Sequence, residues 1–306
     1  MISGFETALG EITLVLFTTL APTGALAVLC MGLPLIFGSA TDRDIARLNK
    51  YLCIPLVVSM VGLIASATHL GNPANALYVF ASIGTSPLSN EVFAAVLFLA
   101  STGLYWLYSF SEKAHRTLLR IWFIVISFTA IAFVVSVGFA YSSRTIISWH
   151  MWQAPVAVMC NALVGGPLLT LMSYACAGCQ LLNKRKGVQL LVVSVGAFLV
   201  NAIVYVLQIR DVFELSNSMA SVSELVPLYW WALFAFVVLV GAALVLAWNM
   251  IKRLPADPHE EAIVVASRSN MTLIVGLCVA TILCLAGIFI MRFCFYMSHI
   301  TVGLGV

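Results

Sequence analysis

The stretch ITLVLFTTLAPTGALAVLCMGLPLIFG, residues 12–38, carries no charged side chain and decides the architecture. A helix that crosses a bilayer needs ~20 consecutive apolar residues, and this run exceeds that length. It is also too long for the apolar segment of a secretory signal. Residues 1–10 before it carry Glu6 and no Lys or Arg, so the basic leader of a signal is absent too. It reads as a retained first span. Seven further runs of the same character follow, at about 51–68, 91–110, 118–141, 153–176, 188–208, 226–250 and 270–294. Strands of an outer-membrane barrel would show alternating segments of ~10 residues instead. Helices satisfy their own backbone in lipid. The expected fold is therefore an all-α integral membrane protein, a bundle of eight transmembrane helices forming one domain over residues 1–306.

Composition gives the same answer. The 306 residues are 62% hydrophobic and 9% charged, with a mean hydropathy of +1.06. A soluble domain averages about 25% charged residues, so a soluble enzyme is excluded. A disordered chain needs low hydrophobicity and high charge, and is excluded as well. No loop is long enough to fold as a separate domain.

Charge distribution orients the bundle. All but Arg144, Arg210 and Arg292 of the 15 Lys and Arg residues lie in or beside the loops after the first, third, fifth and seventh spans. Basic loops stay in the cytoplasm. Both termini are thus expected on the opposite side, the periplasm of a cell whose inner membrane holds the protein.

The cysteines form no disulfide framework. Most lie in apolar runs, where Cys behaves as a small hydrophobe. Cys176 and Cys179 form C-x-x-C, but no second pair of ligands stands nearby. Intramembrane haem commonly uses axial His, yet none of the five His lies within a span. His115 and His259 fall in basic loops, while His69, His150 and His299 sit at the outer edge.

Ionisable groups are nearly absent from the span centres and collect at that outer edge. The loop from His69 to Asn90 has no Lys or Arg, and Leu77, Tyr78, Val79, Phe80 and Ile83 make it too apolar to stand in water. It is expected to lie back over the bundle. His69 ends the second span and Glu91 begins the third, so both are placed at one depth. Imidazole titrates near neutrality, and desolvation raises a carboxyl pKa. Together they could accept protons from a hydroxylated ligand as it loses electrons. A second reading stays open, in which Glu91 in a first helical turn complements the dipole and His69 is an interfacial residue. Arg144, His150, Trp152, Arg210, Asp211, Arg292 and His299 could line the same pocket, though such residues usually act as interfacial anchors. Trp230 and Trp231 read as anchors.

The segment His69-Leu70-Gly71-x-Pro73, followed by Leu88-Ser89-Asn90-Glu91, resembles the membrane anchor subunit of the dimethyl sulfoxide reductase family of bacterial molybdoenzymes. Chain length, eight spans and the outer position of the loop agree with it. The resemblance implies that the protein binds and oxidises menaquinol at the periplasmic face. Electrons would pass to a four-cluster iron–sulfur subunit and on to a molybdopterin catalytic subunit. The quinol-site His and Glu would fall on His69 and Glu91, with Gly71, Pro73, Asn75, Ser89 and Asn90 of the motif completing the pocket. No haem, cluster or metal is implied in this protein, and no nucleic acid among its partners. Members of the family carry a basic residue shortly after the motif proline, where this sequence has Asn75.

Three rival readings remain. One is the same anchor with electrons flowing from substrate into quinone. Another is a passive anchor with no quinol site of its own, which would leave His69 and Glu91 dispensable. The third is a secondary transporter, since Pro22, Gly24 and Pro34 interrupt the first span and Gly165, Gly166 and Pro167 the fifth. Interrupted helices at matching positions of two halves are a transporter feature. The two halves show no convincing sequence match.

Overall fold

The computed structural model describes residues 3–69, 73–111, 114–178, 182–217, 221–255 and 268–301, without the side chains of 73–76 and 268–270. Its elements are α1 (Gly4–Gly10), α2 (Ile12–Ile36), α3 (Asp42–Tyr51), α4 (Cys53–Thr68), α5 (Pro87–Tyr108), α6 (Arg116–Ala140), α7 (Gln153–Ala177), α8 (Lys184–Val212), α9 (Val222–Leu225), α10 (Tyr229–Ile251) and α11 (Arg268–Met297). Two isolated bridges, Ile146 with Thr301 and Ser216 with Ser221, are the β pairing among the described residues. Eight helices are long and apolar enough to cross a membrane, with α3 and α4 joined as one of them. The two ends of the bundle differ in chemistry. One carries the basic loops, and the other, called here the terminal end, carries α1 and the segment after α11.

The spans are not equivalent. In α2 and α7, 78% of the most apolar window is buried, against 28–39% in the other six. These two helices pack on each other at the centre and the rest surround them. In the first half α2 contacts α4 and α6, and α6 contacts α5. In the second half α7 contacts α8 and α11, and α11 contacts α10. The second half thus repeats the neighbour pattern of the first, although the sequence shows no repeat. Each half has four spans and returns the backbone to the end where it began.

Small residues make the central contact. A Cβ added at Gly166 would lie 2.7 Å from the Leu26 Cβ, and one at Gly165 would lie 2.7 Å from the Thr23 methyl. Without a hydrophobic drive between helices in lipid, close backbone approach supplies the packing energy. The prolines of these helices do not break them. Pro22 and Pro34 lie inside continuous α2, and Pro167 inside continuous α7. A proline releases the carbonyl four residues back. For Pro34 this is Cys30, whose oxygen accepts from the Tyr174 hydroxyl at 3.3 Å, a hydroxyl also 3.1 Å from the Met31 carbonyl. The neighbouring helix re-satisfies what the proline frees, as lipid requires. Deeper in the second half, Asn161 on α7 accepts from Asn201 at 2.7 Å and donates to the Tyr205 hydroxyl at 2.9 Å.

The third span starts earlier than the apolar run suggests. Ser86 caps it, accepting from the Ser89 N–H, and Pro87 takes the first turn, where its missing donor costs nothing. The helix therefore begins four residues before Glu91, which becomes an interior position.

Replacing Gly166 by Leu is expected to drive a side chain into α2 at Leu26. Overpacking of this kind costs about 1–3 kcal/mol. A thermal unfolding midpoint several degrees below that of the parent in detergent is the expected result. An unchanged midpoint would mean that the α2–α7 contact is looser than drawn.

Candidate functional site

Glu91 is the fifth residue of α5, about 6 Å along the axis from its start at a rise of ~1.5 Å per residue. No acidic residue occupies the first turn of α5, so Glu91 is not the dipole partner that one sequence reading allowed. Its side chain faces the bundle and is 3% exposed. Its Oε2 is buried without a hydrogen-bond partner. Such a group bears a desolvation cost.

Tyr141, the residue that ends α6, is the next member. Its phenol lies within electrostatic reach of Glu91, Tyr296 and Arg292, and its ring meets that of Tyr296 edge-on at 5.7 Å. Arg292 projects from α11 and is 1% exposed. Its Nε donates to the Thr18 Oγ1 at 3.0 Å. Its guanidinium carbon sits 4.2 Å from the Phe295 ring centre, 5.4 Å from Tyr296 and 5.6 Å from Tyr141. Another of its three nitrogens, Nη2, is buried and has no hydrogen-bond partner. Arg292 is thus no interfacial anchor. Four helices, α2, α5, α6 and α11, supply this buried layer.

A second layer, at Glu11, lies about two turns nearer the terminal end of α2 than Thr18. Tyr296 donates to the Leu14 carbonyl at 3.3 Å, and Glu11 stands at the start of the same helix. Glu11 Oε2 is 3.2 Å from the Nε2 of His69, both side chains being partly exposed. The contact is an ion pair when the imidazole is protonated. His299 also feels the Glu11 charge, and burial lowers its pKa from the ordinary 6.5. His69 caps the C-terminal end of α4. Among the described residues no hydrogen bond or ion pair joins His69 to Glu91; Glu11 is the acid that meets His69.

The other motif residues hold the loop. Gly84, with φ +88°, donates its N–H to the Asn90 Oδ1 at 2.6 Å. Ser89 is buried in the first turn of α5. Gly71 lies outside the described residues, as do Cys179 and His259, and of Pro73 and Asn75 only the backbone is described. Residues 73–82 form a 3-10 segment packed on α5, with Leu77 and Tyr78 turned outward and exposed. Arg144, His150, Trp152, Arg210, Trp230 and Trp231 are exposed, in keeping with anchors. Asp211 accepts from the Gln153 amide at 2.6 Å. Among the described residues no three His, Cys, Asp or Glu side chains gather as a metal site requires.

Sequence reasoning missed Thr18, Tyr141 and Tyr296, which look like ordinary span residues until the fold brings them to one layer. Glu11 had a signal, being an acid set directly before an uncharged run.

A central helix pair, six surrounding spans and an ionisable cluster buried at one end define a multi-span membrane protein with a polar site facing one side. The family model described as DMSO reductase anchor subunit (DmsC) matches residues 5–297, and the protein belongs to that family. It is 31% identical over 300 residues to the YnfH chain of anaerobic dimethyl sulfoxide reductase from Escherichia coli, with 97% of each sequence covered. It is 29% identical over 299 residues to the C chain of anaerobic dimethyl sulfoxide reductase from the same organism, again with 97% of each covered. The C chain of the Haemophilus influenzae reductase is 29% identical over 228 residues, covering 73% of this sequence and 79% of that one. The protein is a multi-pass membrane anchor of this family.

Two outcomes are expected from this geometry. Asn90→Ala leaves the Gly84 N–H without its acceptor. A hydrogen bond of this kind contributes about 1 kcal/mol, roughly fivefold in opening, so the Gly84 amide should exchange about fivefold faster in hydrogen-exchange mass spectrometry. The second concerns pH. The lowered pKa of His299 means the unfolded segment binds the proton more readily than the docked one. Docking after α11 is therefore strongest above the ordinary value of 6.5 and weakens as pH falls below it. Glu11 opposes the effect without abolishing it. The Ile300 N–H, which donates to Ser148 Oγ at 3.2 Å, should exchange faster, relative to its intrinsic rate, at pH 5 than at pH 7.5.

Proposed function

We propose that this anchor binds menaquinol at the terminal end of its bundle, takes up its protons and routes its electrons to an iron–sulfur subunit. That subunit, with four clusters, feeds a molybdopterin subunit that reduces dimethyl sulfoxide or a similar acceptor in anaerobic respiration. The terminal end would face the periplasm and the basic loops the cytoplasm of a bacterial inner membrane, in line with the rule for cationic loops. The family membership and the names of the relatives support the assembly.

The observation that carries the reading is the buried Glu91 carboxyl, whose Oε2 has no hydrogen-bond partner. A base buried beside an apolar wall takes a proton from a ligand hydroxyl and is shielded from bulk water while it does so. The polar layer of Glu11, His69 and His299 lies between this group and the terminal face and gives the protons a way out. Menaquinol would enter from the lipid between helices, its isoprenoid tail staying among apolar side chains. The 3-10 segment and the apolar loop around it would meet the partner subunit. The continuous course of α2 and α7 takes away the feature that favoured transport.

Glu91→Gln keeps the shape and removes the base. Loss of a positioned proton acceptor typically costs 10²–10⁴-fold. Quinol-dependent turnover of the assembled complex should fall by about 10²-fold or more, while turnover with a reduced dye that donates directly to the partner subunits stays at the parent level. His69→Gln should slow turnover less, since water reaches that layer. Parent-level quinol turnover in Glu91→Gln would remove the carboxyl from the mechanism.

A further inference from the structure

We infer that the groove between α2 and α8 at the basic end binds one anionic phospholipid, its phosphate held by Lys186 and an acyl chain lying along Leu33, Phe37 and Val193. The groove is at the opposite end of the bundle from Glu91 and does not depend on the quinol reading.

The groove exists because α2 and α8 both pack on α7 and leave a gap between them. Its volume is about 390 Å³, within the ~300–1,000 Å³ typical of ligand clefts. Leu33, Pro34 and Phe37 of α2 form one wall, Leu190 and Val193 of α8 the other, and Tyr174 of α7 lies between them. The Tyr174 hydroxyl bonds the Cys30 and Met31 carbonyls of α2. Phe37 and Val193 are exposed, so the groove opens sideways, where a bilayer would cover it. Its polar lining sits nearer the loops. Ser39 supplies it from the turn after α2, and Lys186 and Gln189 from the first turns of α8.

Lys186 is half-buried. Its Nζ crosses the mouth of the groove to the Ser39 Oγ at 3.4 Å, a long contact that uses one of three ammonium donors. Among the described residues no carboxylate lies within ion-pair distance of Lys186. Asp44 acts on it from further off, but the Asp44 Oδ2 already accepts from the Thr41 hydroxyl at 2.7 Å in the cap of α3. A charge drawn among apolar side chains is costly unless it is paired. An anion that brings its own apolar chain satisfies the ammonium and the walls together. Lys184 and Arg185 stand exposed in the same helical turn. A zwitterionic head group would set its own ammonium beside these cations and be repelled. An uncharged head group offers Lys186 no counter-charge, and a free phosphate leaves the walls bare. Basic pockets between spans capture anionic head groups in this way.

The test titrates the complete complex in detergent with phosphatidylglycerol, with phosphatidylethanolamine of the same chains, with inorganic phosphate and with a menaquinone analogue. Bound molecules are counted by native mass spectrometry. One cation near an anionic lipid surface is worth about fivefold in affinity. The parent should hold one phosphatidylglycerol about fivefold or more tighter than phosphatidylethanolamine. Lys186→Gln should erase that preference. Lys252→Gln removes the same charge from a basic loop outside the groove and should keep it. Val193→Trp fills the groove from its exposed edge with Lys186 in place, and should lose the tightly held phosphatidylglycerol. Equal affinity for the two lipids in the parent overturns the site. Equal losses in Lys186→Gln and Lys252→Gln mean diffuse attraction to the basic end and overturn it too. Unchanged binding in Val193→Trp shows that no chain lies in the groove. Displacement of the lipid by inorganic phosphate or by the menaquinone analogue as readily as by phosphatidylglycerol names a different occupant and refutes the proposal.

Discussion

The close approach of α2 and α7 at Gly165 and Gly166 is the contact on which the rest of the bundle depends. Lipid tails are as apolar as the helices they surround, so nothing but packing and hydrogen bonding draws spans together. Two glycines in α7 let its backbone settle onto Thr23 and Leu26. With that pair fixed, α4, α6, α8 and α11 have a surface to lean on, and α5 and α10 pack on α6 and α11 in turn. The α2 helix then has its terminal-end turns, from Glu11 to Thr18, presented to α11 and α4 at once. The buried layer and the layer above it are both built on that stretch.

Hydrocarbon also explains how polar groups are handled throughout. The Cys30 carbonyl freed by Pro34 finds the Tyr174 hydroxyl on the neighbouring helix. The Asn161, Asn201 and Tyr205 side chains bond one another. Thr and Ser hydroxyls turn back onto their own helices, as Thr19, Thr23 and Ser173 do. Eight buried side-chain atoms nevertheless lack a hydrogen-bond partner among the described residues, and those of Glu91 and Arg292 are among the few that belong to ionisable groups. Ionisable groups within a bundle are costly and usually functional, and here the two ionisable groups buried in one layer are of opposite charge without touching.

The division into a dry layer and a wet layer gives the site a direction. Glu91, Tyr141, Tyr296 and Arg292 are enclosed by α2, α5, α6 and α11. Glu11 and His69 are partly open to the surroundings, and His299 is half-buried beside them. A proton released in the dry layer has Glu11, His69 and His299 on the side toward the terminal end.

What the sequence determined by itself was whatever depends on segments taken singly. Eight apolar runs specify eight spans, because a span needs only length and hydrophobicity. The His69–Glu91 segment carried the family resemblance that the match to the DmsC family bears out. What only the tertiary structure decided was which groups meet. Thr18, Tyr141 and Tyr296 have no local signal, since a hydroxyl in a span reads the same whether it back-bonds to its own helix or lines a site. Arg292 looked like an anchor because a position near a helix end does not say which way the side chain turns; packing of α11 against α2 turned it inward. His69 and Glu91, adjacent by loop logic, came to rest in different surroundings because α5 begins a full turn before Glu91. The repeated packing of the two halves was invisible for the same reason: lipid-facing and helix-facing positions are both apolar, so sequence can drift while the arrangement of helices is kept.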